Sequence, residues 1–159
     1  MNATRLRNLR AEGKHEEAAK LAAELAPRFP DDAELQFEAA CVHDFLGGET
    51  QAVPYYRAAL GADLSSEHRL QALVGLGSTF RTLGRYTEAR NTLATAVAEF
   101  SEAAEAKAFL AMALQNCGQS KAAVELLLSL LAATSAAPGI VTYRRAIEFY
   151  AQDIERKWS

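Results

Sequence analysis

The chain has 159 residues, a length typical of one domain. Ala, Leu, Glu, Arg and Lys, all strong helix formers, supply 33, 20, 15, 12 and 5 residues, whereas Val and Ile together supply only 9. This composition excludes an all-β domain and a disordered chain, and it argues against a parallel α/β sheet. The formal net charge of −3 argues against a dedicated nucleic-acid binder.

Charge is distributed unevenly along the sequence. Residues 1–30 carry six Lys or Arg and four Glu, a net charge of +2, whereas residues 31–66 carry one Arg and seven acids, a net charge of −6. A basic segment beside an acidic one is a property of the surface, and it does not by itself indicate a fold.

The two cysteines and the absence of long apolar segments indicate a cellular compartment. Cys41 and Cys117 are far apart and form no Cys-x-x-Cys motif, which fits free thiols in a reducing environment. No apolar stretch follows the first basic residues, and no window approaches the roughly 18 apolar residues of a membrane span. We therefore expect a cytoplasmic protein without a signal peptide or a membrane partner.

Four glycines mark an internal repeat with spacings of 34, 37 and 34 residues: Gly13, Gly47, Gly84 and Gly118. Five residues after each glycine comes an alanine: Ala18, Ala52, Ala89 and Ala123. Each glycine separates two helical patterns, so we expect it to end the first helix with a left-handed cap. The predicted helix pairs lie at about 3–12 with 15–28, 33–46 with 49–62, 67–83 with 86–99, and 103–117 with 119–133.

The period of about 34 residues, the glycine between two helices and the small residues at fixed offsets resemble the tetratricopeptide repeat (TPR). Phrases such as GLGSTFRTLGRYTEA further resemble a small bacterial subgroup of short TPR proteins without an assigned activity. The resemblance implies an all-α fold, a right-handed α-α superhelix of four helix pairs. The repeats then cover about 1–32, 33–66, 67–103 and 104–137.

A ninth helix is predicted at about 139–157, after the fourth repeat. Ile140, Tyr143, Ile147 and Tyr150 recur at helical spacing there. Since a solenoid needs a cap at its open end, we interpret this helix as the cap. The alternative is that its aromatic face, with Trp158, forms a homodimer surface.

No catalytic or metal-binding pattern stands out from the sequence. The Gly75–Ser78 run lacks the third glycine of a dinucleotide-binding loop and lies within a helical pattern, which favours a packing role. No histidine has an i,i+4 partner suited to a metal. Asp31 and Asp32 are explained as a helix cap. We therefore predict no catalytic residue, no metal and no cofactor.

The resemblance implies that repeat positions 5, 9 and 12 point into a concave groove. These positions are Arg7, Arg10, Phe37, Cys41, Asp44, Val74, Ser78, Arg81, Ala108, Met112 and Gln115, and the cap adds Tyr143, Ile147 and Tyr150. Where the TPR domains of chaperone partners hold a C-terminal carboxylate with Asn, Lys and Arg, this chain has Arg7, Cys41, Val74 and Ser78. That clamp is therefore missing.

The groove arginines could still hold a carboxylate, and Phe37, Val74 and Met112 could hold an apolar anchor. Alternatively, these arginines are solvated surface and the apolar residues are packing. The leading hypothesis is a non-enzymatic module that binds an unidentified protein or peptide segment in the groove. The alternatives are a self-associating structural protein and a small-molecule-binding protein or enzyme with a pocket near the cap.

Overall fold

A computed structural model describes residues 1–157, and over this range the chain forms nine α-helices and no strand. The prediction of an all-α fold is confirmed. The helices are α1 (Asn2–Ala11), α2 (His15–Leu25), α3 (Ala33–Phe45), α4 (Glu49–Gly61), α5 (Ser66–Thr82), α6 (Tyr86–Glu99), α7 (Ala104–Asn116), α8 (Ser120–Thr134) and α9 (Pro138–Tyr150).

Left-handed glycines join the two helices of each pair, as predicted. Gly84 has φ +73°, and its N–H donates to the carbonyl of Arg81 at 3.0 Å. The N–H of Arg85 donates to the carbonyl of Phe80 at 2.8 Å, which completes a Schellman motif. The other three repeat glycines have φ +73° or +74° and form the same two bonds. Because the next residue is already the N-cap of the following helix, each pair is joined by a very short turn.

The helix pairs stack into a curved array. Every helix packs against the next one along the chain, and α1 also contacts α3, α3 contacts α5, and α5 contacts α7. Within the described part of the chain, the backbones of α2, α4, α6 and α8 do not approach one another this closely. Because one row is closer together than the other, the stack curves with α1, α3, α5 and α7 on its concave side. These four helices are called the inner row below.

Small residues allow the paired helices to approach closely. Ala18, Ala52 and Ala89 are fully buried. A Cβ on Gly77 would lie 2.4 Å from Cγ of Leu93, and one on Gly75 would lie 2.5 Å from the hydroxyl of Tyr56. The prediction that the Gly75–Ser78 run serves packing is therefore confirmed.

Polar contacts link helices both within one repeat and between successive repeats. Arg69 on α5 forms a two-bond ion pair with Glu99 on α6, at 2.6 and 2.7 Å. Arg57 on α4 contacts Glu88 on α6 at 3.0 Å. The predicted cap of α3 is also present, because the N–H of Leu35 donates to the Asp32 carboxylate at 3.0 Å.

The last helix differs from its prediction. α9 ends at Tyr150, short of the expected end near residue 157, because side chains of α8 hold the following turn. Nζ of Lys121 lies 2.6 Å from the Asp153 carboxylate, and the Ile154 N–H donates to Glu125 at 3.1 Å. α9 contacts α8 but not α7, and none of its own residues is fully buried.

No helix in residues 1–157 is both long enough and apolar enough to cross a membrane.

The close approach at Gly77 gives a stability prediction. We expect Gly77→Ala to lower the free energy of unfolding by about 1–3 kcal/mol, because the new methyl group overlaps the branched end of the buried Leu93 side chain. Gly61→Ala is the matched control. A Cβ there meets nothing within 4 Å, so its effect should stay within about 1 kcal/mol of the wild type. Urea denaturation measures both, and equal effects would contradict the packing role of Gly77.

The ion pair on α5 gives a pH prediction. The hydrogen bonds from Arg69 hold the pKa of Glu99 below its ordinary value of 4.5. The pair therefore stabilises the fold above about pH 4.5, and this contribution is lost as the pH falls through the lower pKa of the folded state. Arg69→Gln should cost about 0.5 kcal/mol near neutral pH and progressively less in acid.

Urea denaturation at several pH values measures this difference. Arg90→Gln is the control, because Arg90 bonds to the neutral Asn91 side chain and its removal should give a difference that does not depend on pH. A constant difference for Arg69→Gln across the acidic range would contradict the prediction.

Candidate functional site

The candidate site is the concave face formed by the inner row. Two of its arginines are held by a buried carboxylate that the sequence analysis missed. Glu38 on α3 is 1% exposed, and its Oε1 accepts a hydrogen bond from Nε of Arg7 at 2.6 Å. Its other oxygen accepts from Nη1 of Arg10. The bond to Glu38 raises the pKa of Arg7 above its ordinary value. The arginines that were expected to hold a partner's carboxylate thus already hold one from this chain.

A second carboxylate extends this cluster toward α5. Oε2 of Glu34 lies 3.5 Å from Nη2 of Arg7 and 2.5 Å from Nδ1 of His68, and Oε1 accepts from the Ser65 N–H at 3.3 Å. Burial alone would raise the pKa of Glu34, but the hydrogen bonds from Ser65 and His68 outweigh it and lower the pKa below 4.5. An ion pair connects α1 to α3, and hydrogen bonds of Glu34 connect α3 to the start of α5, across the concave face.

Phe37 is not available as an apolar anchor. Its side chain is 3% exposed, and its ring stacks on the His68 ring with centroids 4.7 Å apart. Phe37 belongs to the hydrophobic core, as the alternative packing interpretation proposed.

Three predicted groove residues meet around an open depression of about 350 Å³. It is lined by Arg10, Cys41, Asp44, Phe45 and Tyr56. One oxygen of the Asp44 carboxylate accepts from the Tyr56 hydroxyl at 3.0 Å. The other lies 3.1 Å from the Thr79 hydroxyl, whose single proton is shared with the carbonyl of Gly75 at 2.9 Å. Helices α1, α3, α4 and α5 all contribute to this small region.

The Cys41 thiol in this depression is not activated. Burial is the main cause that raises its pKa from 9.0 to about 11. The thiol is therefore protonated near neutral pH, whereas a nucleophilic cysteine needs a lowered pKa. Burial also raises the pKa of the neighbouring Tyr56 phenol.

Farther along the inner row, on α5 and α7, fewer of the predicted groove residues carry a charge. Val74 and Ser78 are half-buried, and Val74 packs against a small core cluster that includes Leu73. Arg81 is half-buried too, and its Nε has no hydrogen-bond partner among the described residues. Met112 and Gln115 on α7 are exposed. This end of the face therefore mixes polar and apolar side chains and carries few charges.

The cap residues lie apart from this row, because α9 packs on α8 and not on α7. Tyr143 is 67% exposed, Tyr150 is exposed and Ile147 is half-buried. Trp158 lies outside the described residues. Their participation in a groove or a homodimer stays a prediction.

Sequence reasoning missed Glu38, Phe45 and Tyr56. A periodic signal for two of them was present, because Glu34, Glu38, Cys41 and Phe45 recur at helical spacing on one face of α3. Tyr56 gives no such signal, since it reaches the depression from α4.

No three His, Cys, Asp or Glu side chains in residues 1–157 are grouped so that they could hold a metal ion. Apart from Nε of Arg81, the buried polar groups described above form ion pairs and neutral hydrogen bonds with one another.

Comparisons with known proteins agree with the repeat. Residues 33–154 match the family model described as tetratrico peptide repeat. A crystal structure of nearly identical TPR-like repeats from a candidate kinesin light chain of Podospora anserina superposes with a TM-score of 0.67. The two chains are 22% identical, and the match covers 95% of this chain and 88% of the other. None of the curated proteins matches the chain in sequence.

Glu38 gives a testable prediction for this site. Glu38→Gln removes the charge that two arginines share, so we expect it to lower the free energy of unfolding by about 2 kcal/mol. Glu105→Gln, an exposed position on α7, should change it by less than about 0.5 kcal/mol. Thermal and urea unfolding of both variants test this. If Glu38→Gln left the free energy of unfolding unchanged, the buried cluster would contribute nothing to stability.

Proposed function

Because the chain belongs to the tetratricopeptide repeat family, whose domains generally mediate protein–protein interactions, we propose that it binds a protein or peptide segment along its inner row and has no enzymatic activity. The observation that carries the proposal is the concave face itself. Its four helices lie side by side and present a continuous row of accessible polar and apolar side chains.

The chemistry of this face supports binding of a chain and gives no support to catalysis. Arg7 and Arg10 on this face are paired with Glu38 across helices, and its thiol has a raised pKa. A partner segment would meet half-buried Asp44 and Arg81 and the exposed Met112, which together supply polar and apolar contacts. The open shape of the depression between α1 and α3 suits one side chain of such a segment.

The structure also decides which substitutions test the proposal well. Arg7 pairs with buried Glu38, so a charge reversal there would damage the fold as well as the surface. Arg81 and Met112 form no such ion pair in the described structure and lie on the inner row. They are the better probes.

The experiment begins with peptides selected from a random dodecapeptide library against the wild-type protein. We expect Arg81→Glu and Met112→Glu each to weaken the selected peptides by about tenfold, measured by fluorescence polarisation. Matched controls lie on even-numbered helices: Arg90→Glu on α6 and Leu127→Glu on α8 should change the affinity by less than about twofold. If the inner-row variants and the control variants lost equal affinity, or if only the control variants lost affinity, the inner row would be excluded as the binding face.

A further inference from the structure

The depression lined by Arg10, Cys41, Asp44, Phe45 and Tyr56 has a feature that the proposed function leaves unexplained. Its one carboxylate is not matched by a cation. Within residues 1–157, no Lys, Arg or His nitrogen lies within 4.0 Å of Asp44. Its oxygens face neutral hydroxyl groups instead, from Tyr56 and Thr79, and the single Thr79 proton is shared with the carbonyl of Gly75.

The neighbouring charges do not compensate it, because they are already paired. Arg7 and Arg10 face Glu38, and Arg7 also reaches Glu34. Two guanidinium groups and two carboxylates balance, and Asp44 is left over. A half-buried carboxylate that has only neutral hydrogen-bond donors is stabilised when a cation binds to it.

Two further groups in the depression suit a cation. The Tyr56 hydroxyl donates its proton to Asp44, and its oxygen, which also interacts with the Cys41 thiol, has a second lone pair that can accept a hydrogen bond. The Phe45 side chain is 66% exposed, and its ring stacks on His15 with centroids 3.8 Å apart. The rest of this exposed ring can receive a Lys or Arg side chain in a cation–π contact.

We propose that this depression binds the cationic side chain of a Lys or Arg in the partner segment, with Asp44 as its counter-ion. The inference rests on the proposed function and adds the chemistry of one partner residue. A carboxylate would be repelled by Asp44 and would compete with Glu38 for Arg10.

The test uses the dodecapeptides selected against the wild-type protein. We expect them to share a Lys or Arg at one fixed position. Synthetic peptides with Lys, Arg or the neutral citrulline at that position show whether binding depends on the positive charge or on the shape of the side chain. Citrulline should weaken binding by about tenfold relative to Arg. Amide NMR signals of residues 41–45 should shift with the cationic peptides and much less with the citrulline peptide.

Two protein variants complete the experiment. Asp44→Asn keeps the side-chain shape and should lose about tenfold in affinity for the cationic peptides and little for the citrulline peptide. Asp63→Asn, an exposed acid in the same acidic segment, is the matched control and should bind like the wild type. Phe45→Leu should weaken binding by about threefold, and it reports on the depression even if Asp44→Asn folds poorly.

The outcomes separate this inference from the proposed function. Selected peptides that bind the inner row without a basic residue, or that bind Asp44→Asn and the wild type equally, would overturn the cation site and leave the inner row as the binding face. Peptides that are insensitive to Arg81→Glu and Met112→Glu would instead overturn the proposed function.

Discussion

Four left-handed glycines are the constraint on which the rest of the structure depends. Each has φ near +73° and stops one helix while the next residue already caps another, so the two helices of a pair are forced into close antiparallel contact. Such closeness is possible only where side chains are small, and buried alanines stand at the contact positions. Each pair then has an uncovered apolar face, which the next pair covers. The superhelix and its concave face follow from this local geometry.

Polar contacts add specificity to this apolar stacking. Arg7 and Glu38 join the first repeat to the second, whereas Arg69 and Glu99 join the two helices of the third repeat. The contact at Glu38 differs from the others because its carboxylate is almost fully buried, so breaking it leaves an unpaired charge inside the protein. The pair Arg69–Glu99 lies nearer the surface and is more easily replaced by water. The first repeat is therefore fixed to the second by both apolar packing and a buried ionic cluster.

The fold was predictable from the sequence because its determinants are local and repeated. A glycine followed five residues later by an alanine appears four times, and each occurrence implies the same turn. The pairing of Glu38 was not predictable in this way, because the rotation of α3 against α1 decides which acidic residues of α3 meet the arginines and how deeply they are buried. The same rotation turns Phe37 into the core. The end of α9 was missed because it depends on Lys121, a residue of the preceding helix.

The distribution of charge along the inner row bears on how a segment would lie there. Ionised groups concentrate on α1 and α3, where Arg10, Glu38 and Asp44 lie close together. At the far end, the accessible side chains of Met112 and Gln115 carry no charge. A face with these two unlike ends is not symmetric along its length, so the two orientations of a bound segment differ in free energy. The charged end restricts which side chains are accepted, because each ion outside a pair must find a counter-ion. The uncharged end would accept a wider range of side chains, since dispersion and burial depend little on chemical detail. If the inner row binds a segment as proposed, selectivity for that segment depends most on the first two repeats, where Glu38 and Asp44 lie.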